Sequence, residues 1–291
     1  MAEKNKKKKW KKKFLMRNFF LEKAVRWLKE EKYSQKKLSQ KKLDQYLKQD
    51  LLRIKRGEPI DYIIGFSYFL NTKIDLKYRP FIPRDETEYW VEQSFSEIRE
   101  RIKNNSQEIK CLDIFAGSGC IGIALLKNFP SIKVDFIEKN KNFLKQIRIN
   151  LKLNLIETKR SRLIQSDVFS QLKKKKRSDY LYDYIFANPP YLSRKRKNNK
   201  NKKNKINSNV LKWEPSQALF SGGDGLFCIK KFFKEAKEFL KTEGKIYLEF
   251  DSWEKKDIEK IIKNYNYSSL RFFKDQYNKW RYLSCSFENN K

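Results

Sequence analysis

The stretch Asp113-Ile114-Phe115-Ala116-Gly117-Ser118-Gly119-Cys120-Ile121-Gly122 decides the fold class. It places GxGxxG at Gly117, Gly119 and Gly122, directly after an apolar run read as a strand (Cys111–Phe115) and at the opening of a segment read as a helix (Gly119–Asn128). Glycine lets a strand-to-helix turn close tightly and approach a ligand with no Cβ in the way. The motif alone fits NAD, FAD and S-adenosylmethionine folds alike. Glu138 narrows the ligand to a nucleoside: it ends the next strand, Lys133–Ile137, 19 residues after Gly119, where a carboxylate reaches both ribose hydroxyls.

Outward from that motif, strands and helices alternate. Lys141–Leu153 reads as a helix, Arg162–Gln165 and Tyr184–Ala187 as strands, Leu226–Leu240 as a helix, Lys245–Phe250 as a strand and Glu254–Lys263 as a helix. Such βα alternation predicts a parallel sheet with helices on both faces. Leu270–Phe273 and Arg281–Phe287, joined by a short polar loop, predict an antiparallel edge. Upstream, Phe14–Arg56 carries two helical stripes, Phe19, Phe20, Ala24, Trp27 and Leu28, then Leu38, Leu43, Tyr46, Leu47 and Leu51, with Ser34 and Ser39 as cap or turn residues. Gly57-Glu58-Pro59 breaks that pattern. Tyr62–Leu76 is strand-like, interrupted at Gly65 and Asn71, and Asp85–Arg101 is helical again.

Asn188-Pro189-Pro190-Tyr191 follows the strand Tyr184–Ala187 and therefore belongs beside the Gly loop, because open α/β sheets bind ligands at the carboxyl ends of their strands. An amide or exocyclic-amine nitrogen is a poor nucleophile, its lone pair being delocalised. Two acceptors, the Asn188 side-chain oxygen and the Pro189 carbonyl, suit its two N–H groups and would aim it at a methyl sulfonium; consecutive prolines hold those acceptors in place. Tyr191 is expected to pack on the planar group. Such a reaction needs positioning more than acid–base work, which agrees with a chain that has no histidine. Asp167, just beyond the strand Arg162–Gln165, is placed to bind an adenine amino group, with Val168 and Phe169 as neighbours.

The absence of histidine excludes every His-based triad, base and metal ligand, and no metal site is expected. The four cysteines, Cys111, Cys120, Cys228 and Cys285, form no CxxC pair and read as free thiols. With 291 residues there is room for one full α/β domain and a smaller element. Of the formal charge of +33, +20 lies in three runs: residues 1–13, Lys173–Arg177 and Arg194–Lys205. Charge so concentrated implies incidental RNA contact through Lys-rich segments rather than a folded nucleic-acid face. No apolar run approaches a membrane span or a signal-peptide core, so a cytoplasmic monomer is expected.

Three further blocks, with the NPPY element, resemble the HemK/PrmC family of protein-(glutamine-N5) methyltransferases that modify the Gly-Gly-Gln loop of peptide chain release factors. They are Glu58-Pro59-Ile60-Asp61-Tyr62-Ile63-Ile64-Gly65, similar to the family's linker motif, Phe81-Ile82-Pro83-Arg84-Asp85-Glu86-Thr87-Glu88, similar to its IPRPETE signature, and Trp213-Glu214-Pro215 through Gly222-Gly223-Asp224-Gly225-Leu226 after the active site. The resemblance implies a basic tail (1–13), a helical recognition domain (14–56), a β-hairpin linker (57–84) and a class I S-adenosylmethionine-dependent methyltransferase domain (85–291), Rossmann-like, with a mostly parallel seven-stranded sheet and an antiparallel edge. A basic low-complexity insertion would occupy 194–210. It implies that S-adenosylmethionine meets Asp113, Phe115, Ala116, Gly117, Ser118, Gly119, Glu138, Asp167, Val168 and Asn188. The catalytic tetrapeptide would be Asn188, Pro189, Pro190 and Tyr191, with Arg84, Glu86 and Glu88 shaping the pocket rim and a release factor as the protein substrate. Phe115 and Ala116 depart from the family's usual small residues, Asp85 replaces a proline, and Val168 stands where an aromatic is common. A nucleic-acid amino-group methyltransferase and a non-catalytic RNA-binding protein on the same fold are the competing readings.

Overall fold

The computed structural model describes residues 21–34, 36–104, 108–193 and 208–287. Chain contacts divide it into two compact units, Met1–Phe66 and Ser67–Lys291. The expected tail over 1–13, Phe19 and Phe20, and the expected insertion over 194–207 lie outside the described residues.

In the first unit a helix over 21–27 continues as the π-helix Leu28–Tyr33 (together α1), followed by α2 (Gln40–Lys55) and α3 (Ile60–Ile64). Leu28, Tyr33, Leu47 and Ile63 make its small core. Asp50 is buried beneath it and accepts the Tyr33 hydroxyl at 2.6 Å and the Lys32 ammonium at 2.7 Å. Arg53 grips Glu58 through both Nε (2.9 Å) and Nη2 (2.8 Å), a bidentate pair that fixes the chain after α2. The strand expected from Tyr62-Ile63-Ile64 is instead helical. Pro59 starts that turn, and Gly65, at φ +99°, ends it with its N–H on the Asp61 carbonyl at 2.7 Å. β-Branched content misled here because the two punctuating residues, not the side chains, set the local backbone.

Strands β1 (Phe66–Phe69) and β2 (Thr72–Asp75) pair as a hairpin. Then come α4 (Asp85–Asn104), β3 (Lys110–Ile114), α5 (Cys120–Asn128), β4 (Lys133–Glu138), α6 (Lys141–Leu153), β5 (Ser161–Gln165) and β6 (Tyr182–Ala187). After the undescribed stretch follow α7 (Ser208–Trp213), α8 (Ser216–Leu219), α9 (Phe227–Ala236), β7 (Leu240–Glu249), α10 (Lys255–Asn264), β8 (Ser268–Lys274) and β9 (Trp280–Ser286). Ser208–Val210, read as the end of a low-complexity insertion, is the first turn of α7.

The seven-stranded sheet has the order β5-β4-β3-β6-β7-β9-β8, parallel as far as β7, with β9 antiparallel to both neighbours. The inner parallel strands β3 and β4 are mostly buried and β6 is buried along its whole length, as their apolar runs require, while the edge strand β5 is largely half-buried. Gly122 shows how tightly α5 lies on the sheet: a Cβ there would stand 2.3 Å from the Phe136 ring. Side chains of α6 clamp the β2 backbone. Asn154 exchanges hydrogen bonds with both Lys73 main-chain groups, Asn150 accepts the Asp75 N–H at 2.8 Å, and Gln146 accepts the Tyr78 N–H at 2.8 Å. The basic run Lys173–Arg177 is not free chain: it forms short 3-10 turns, and Lys173 pairs with Glu235 at 3.1 Å.

Candidate functional site

Strand register assembles the site. Ile114 at the end of β3 pairs with Ala187 at the end of β6, and Ala187 pairs in turn with Leu248 of β7. The Gly loop, the Asn188 tetrapeptide and Glu249 therefore leave three adjacent strand ends side by side. β3 and β6 are also where the strand order reverses, the crevice in which α/β sheets bind ligands. A cavity of about 490 Å³ opens there, within the size range of small-molecule sites.

The Gly loop forms one wall. Phe115, Gly117 and Gly119 all stand in the left-handed region, at φ 62°, 55° and 77°. Phe115 has no glycine's freedom, so its strain is held by the surrounding structure, as is common at functional sites. Phe115, Ala116, Gly117, Ser118 and Glu138 line the cavity. Glu138 Oε2 accepts the Gly117 N–H at 2.9 Å and Oε1 accepts the Asn140 N–H at 2.7 Å. Burial pushes this carboxyl up, against the pull of those amides. Asn150 donates to the Ser118 carbonyl at 2.9 Å, which ties the loop to the same side chain that holds β2.

Asp113 and Gly119, both expected at the cofactor, do not line the cavity; the Asp113 side chain is buried and its Oδ2 accepts the Gly122 N–H at 2.9 Å. Burial raises its carboxyl from 3.8 to about 8, helped by the nearby Glu138 and opposed by that amide. It staples the loop to α5. Asp167 and Val168 do line the cavity, Val168 at φ 54°. The Asp167 carboxylate is flanked by Lys139 and Lys231, each at 3.1 Å. Partial burial pushes it up, but the two ammonium groups outweigh that and hold it below its ordinary value.

Asn188, Pro189, Pro190 and Tyr191 form the opposite wall. Behind them Glu249 is fully buried and collects four donors. Its Oε2 accepts Thr87 Oγ1 at 2.6 Å, Trp90 Nε1 at 2.7 Å and Asn188 Nδ2 at 3.0 Å, and its Oε1 accepts the Tyr191 hydroxyl at 3.2 Å. Burial, with Glu249 beside it, pushes the Tyr191 phenol well above its ordinary value, so it stays neutral. Of the expected rim residues Arg84 lines the cavity and pairs with buried Glu214. Glu86 and Glu88 do not line it, and Glu88 Oε1 accepts the Leu70 N–H at 2.8 Å. On a helix, side chains three or four apart share a face, and it is Thr87 that turns inward, with Trp90 one turn on.

Thr87, Asn150, Glu214 and Glu249 were not singled out from the sequence. One signal existed for Glu249: like Glu138, it is an acid that closes an apolar run at the end of a strand. All four cysteines are free; Cys120 and Cys228 line the cavity, and burial pushes the Cys120 thiol up to about 12.

Residues 98–226 match the family model described as the methyltransferase small domain. The release factor glutamine methyltransferase of Fusobacterium nucleatum is 35% identical over 225 residues, spanning 77% of this chain and 59% of that protein. That of Thermodesulfovibrio yellowstonii is 34% identical over 229 residues, spanning 79% of this chain and 76% of that protein. That of Bacteroides thetaiotaomicron is 32% identical over 242 residues, spanning 82% and 80%. Among solved structures, the N-terminal domain of human METTL16 in complex with SAH superposes with a TM-score of 0.51 at 15% identity, covering 76% of this chain and 77% of that one. The human Mettl16 catalytic domain in complex with MAT2A 3′UTR hairpin 1 gives 0.56 at 14% identity, covering 76% of each. At such identities the likeness is one of fold.

Proposed function

The chain belongs to the release factor glutamine methyltransferases, and from that premise we propose that it methylates the side-chain amide nitrogen of the Gly-Gly-Gln glutamine of a peptide chain release factor, with S-adenosylmethionine as methyl donor. The observation that carries the reading is the placement of Asn188 beside the Gly loop in one cavity, with its Nδ2 engaged by Glu249. An amide so held turns its oxygen away from the carboxylate, free to accept an N–H from a substrate.

The cavity suits a nucleoside-bearing cofactor. Glu138 spends one lone pair of each oxygen on backbone amides and keeps the others for a ribose diol. Asp167 and Val168 stand at the adenine end, and the Gly loop lies against the remainder. When bound, S-adenosylmethionine supplies an activated methyl on a sulfonium. The chain's own residues position the nucleophile: the Asn188 oxygen and the Pro189 carbonyl accept its two N–H groups, and Tyr191 packs on the amide plane. The neutral Tyr191 phenol takes no proton. Arg84, anchored by Glu214, shapes the entrance for the substrate loop.

Among the described residues no helix is long and apolar enough to cross a membrane. A cytoplasmic location fits a translation factor as substrate.

The test is incubation with purified release factor and methyl-labelled cofactor, followed by mass spectrometry of the Gly-Gly-Gln peptide. One added methyl on its glutamine is the expected result. Label on RNA or DNA alone would overturn the reading.

A further inference from the structure

Glu249 lies behind the wall formed by the tetrapeptide and does not line the cavity. Its side chain is 1% exposed at the end of β7, and register sets it beside Asn188 because Leu248 pairs with Ala187. A buried carboxylate is unfavourable unless its oxygens are satisfied. Here four donors converge on it, from two segments: Thr87 and Trp90 of α4, and Asn188 and Tyr191 of the tetrapeptide. Arg281, on β9, adds its charge nearby.

The donor set has a directional consequence. An indole N–H can only donate, so the oxygen bound by Trp90 acts as an acceptor, and Asn188 meets that same oxygen. Asn188 must then present its NH2 to Glu249. The two ends of a side-chain amide point apart, so the end left facing the cavity is the oxygen, an acceptor. Were Asn188 turned over, its NH2 would face the substrate and draw in the carbonyl oxygen of a substrate amide, leaving the nitrogen on the wrong side.

We propose that Glu249 is a positioning residue that fixes the direction of the Asn188 amide, and thereby decides that a substrate carboxamide enters nitrogen first rather than oxygen first. The inference rests on the glutamine-methylating reading of the site and deepens it. Thr87 belongs to the same device, because its hydroxyl donates to Glu249 and lies 3.4 Å from Asn188 Nδ2.

Glu249→Gln is the informative variant: it keeps the shape, but its amide offers a donor as well as an acceptor, so Asn188 is no longer constrained. The expected result is a fall in kcat of at least ~10-fold, the scale of a misplaced nucleophile, with KM for release factor and cofactor affinity by calorimetry both within about twofold. In the Asn188→Ala background the same substitution should reduce kcat no further, because its effect passes through Asn188. A merely structural Glu249 would give fold-changes that multiply in the double variant. An unchanged kcat in Glu249→Gln, or multiplied losses, overturns the proposal. A second measurement needs neither turnover nor a variant. In the wild-type protein, NMR should show slow exchange of the Asn188 side-chain N–H protons and a cross-peak from them to the Trp90 indole N–H, both being held on one carboxylate oxygen. Fast exchange without that cross-peak overturns the proposal. A wild-type protein that leaves release factor unmethylated overturns the functional reading instead, and the NMR result then still decides whether Glu249 directs Asn188.

Discussion

The Gly117 N–H donates to Glu138 Oε2 at 2.9 Å, so the turn of the Gly loop and the end of the neighbouring strand are bound as one piece. The carboxylate that is to hold a ribose also braces the loop lying against the rest of the ligand. Its other oxygen does the same for the start of α6 through Asn140.

Replacing Glu138 should therefore weaken cofactor binding by two routes. Charge-assisted hydrogen bonds are each worth about 1.5–3 kcal/mol, and alanine would lose the ribose contacts and the loop brace together. Calorimetry with S-adenosylhomocysteine should show affinity lower by at least ~100-fold for Glu138→Ala and roughly 10-fold for Glu138→Gln, which keeps one acceptor. Equal affinities for the two variants would mean that the carboxylate does not touch the ligand.

Asn188→Ala removes an orienting acceptor and little else. Turnover should fall on the order of 100-fold, while calorimetric cofactor affinity changes by less than about twofold because the cofactor keeps the Gly loop and Glu138. A parallel loss of cofactor affinity would show that Asn188 serves the cofactor rather than the substrate nitrogen.

The sequence made legible whatever rests on local pattern. Gly117, Gly119 and Gly122, with the apolar runs on either side, announce a strand–turn–helix, and the Asn188 tetrapeptide follows its strand as expected. What stayed hidden depends on register between distant strands. An acid closing an apolar strand marks Glu249 as worth noting but does not name its partner; it meets Asn188 only because Leu248 and Ala187 are paired. The placement of Glu86 and Glu88 away from the cavity lining has the same origin, since which face of α4 turns inward is set by Trp90 packing against Phe186 and Tyr282. Asp113 illustrates a different ambiguity: near the end of a strand an acid can face a ligand or hold the next helix, and only the fold shows its bond to Gly122.

That bond predicts a pH dependence. Burial raises the Asp113 carboxyl from 3.8 to about 8, so in between the folded protein keeps a proton that the unfolded chain releases. Its contribution to stability is therefore complete at low pH and is lost as pH rises toward the folded value. Asp113→Asn does not titrate and can still accept the Gly122 N–H. Urea unfolding of both proteins between about pH 5 and pH 7 should show stability shifting in favour of the variant by up to about 1.4 kcal/mol per pH unit. A constant difference across that range would place the Asp113 carboxyl near its ordinary value.

Gly225 offers a way to disturb the catalytic wall from behind. It stands at φ +88°, and a Cβ there would meet the Tyr191 carbonyl at 2.6 Å and the Ser193 amide nitrogen at 3.2 Å. Those two neighbours are backbone and do not yield as a flexible side chain would; the third, Glu254 Oε1 at 2.9 Å, belongs to a buried side chain. Gly225→Ala should lose about 1–2 kcal/mol to the left-handed backbone and displace Tyr191, proposed to pack on the substrate amide, reducing turnover at least ~10-fold. Gly122→Ala is the matched control. Its Cβ would press on the Phe136 ring at 2.3 Å, inside the core and away from the cavity, an overpacking of about 1–3 kcal/mol. Melting temperature should fall in both variants. Turnover per folded molecule, counted by cofactor binding, should fall further in Gly225→Ala than in Gly122→Ala. Equal turnover in the two would mean that Tyr191 can shift without consequence, and that Asn188 and Pro189 alone hold the nucleophile.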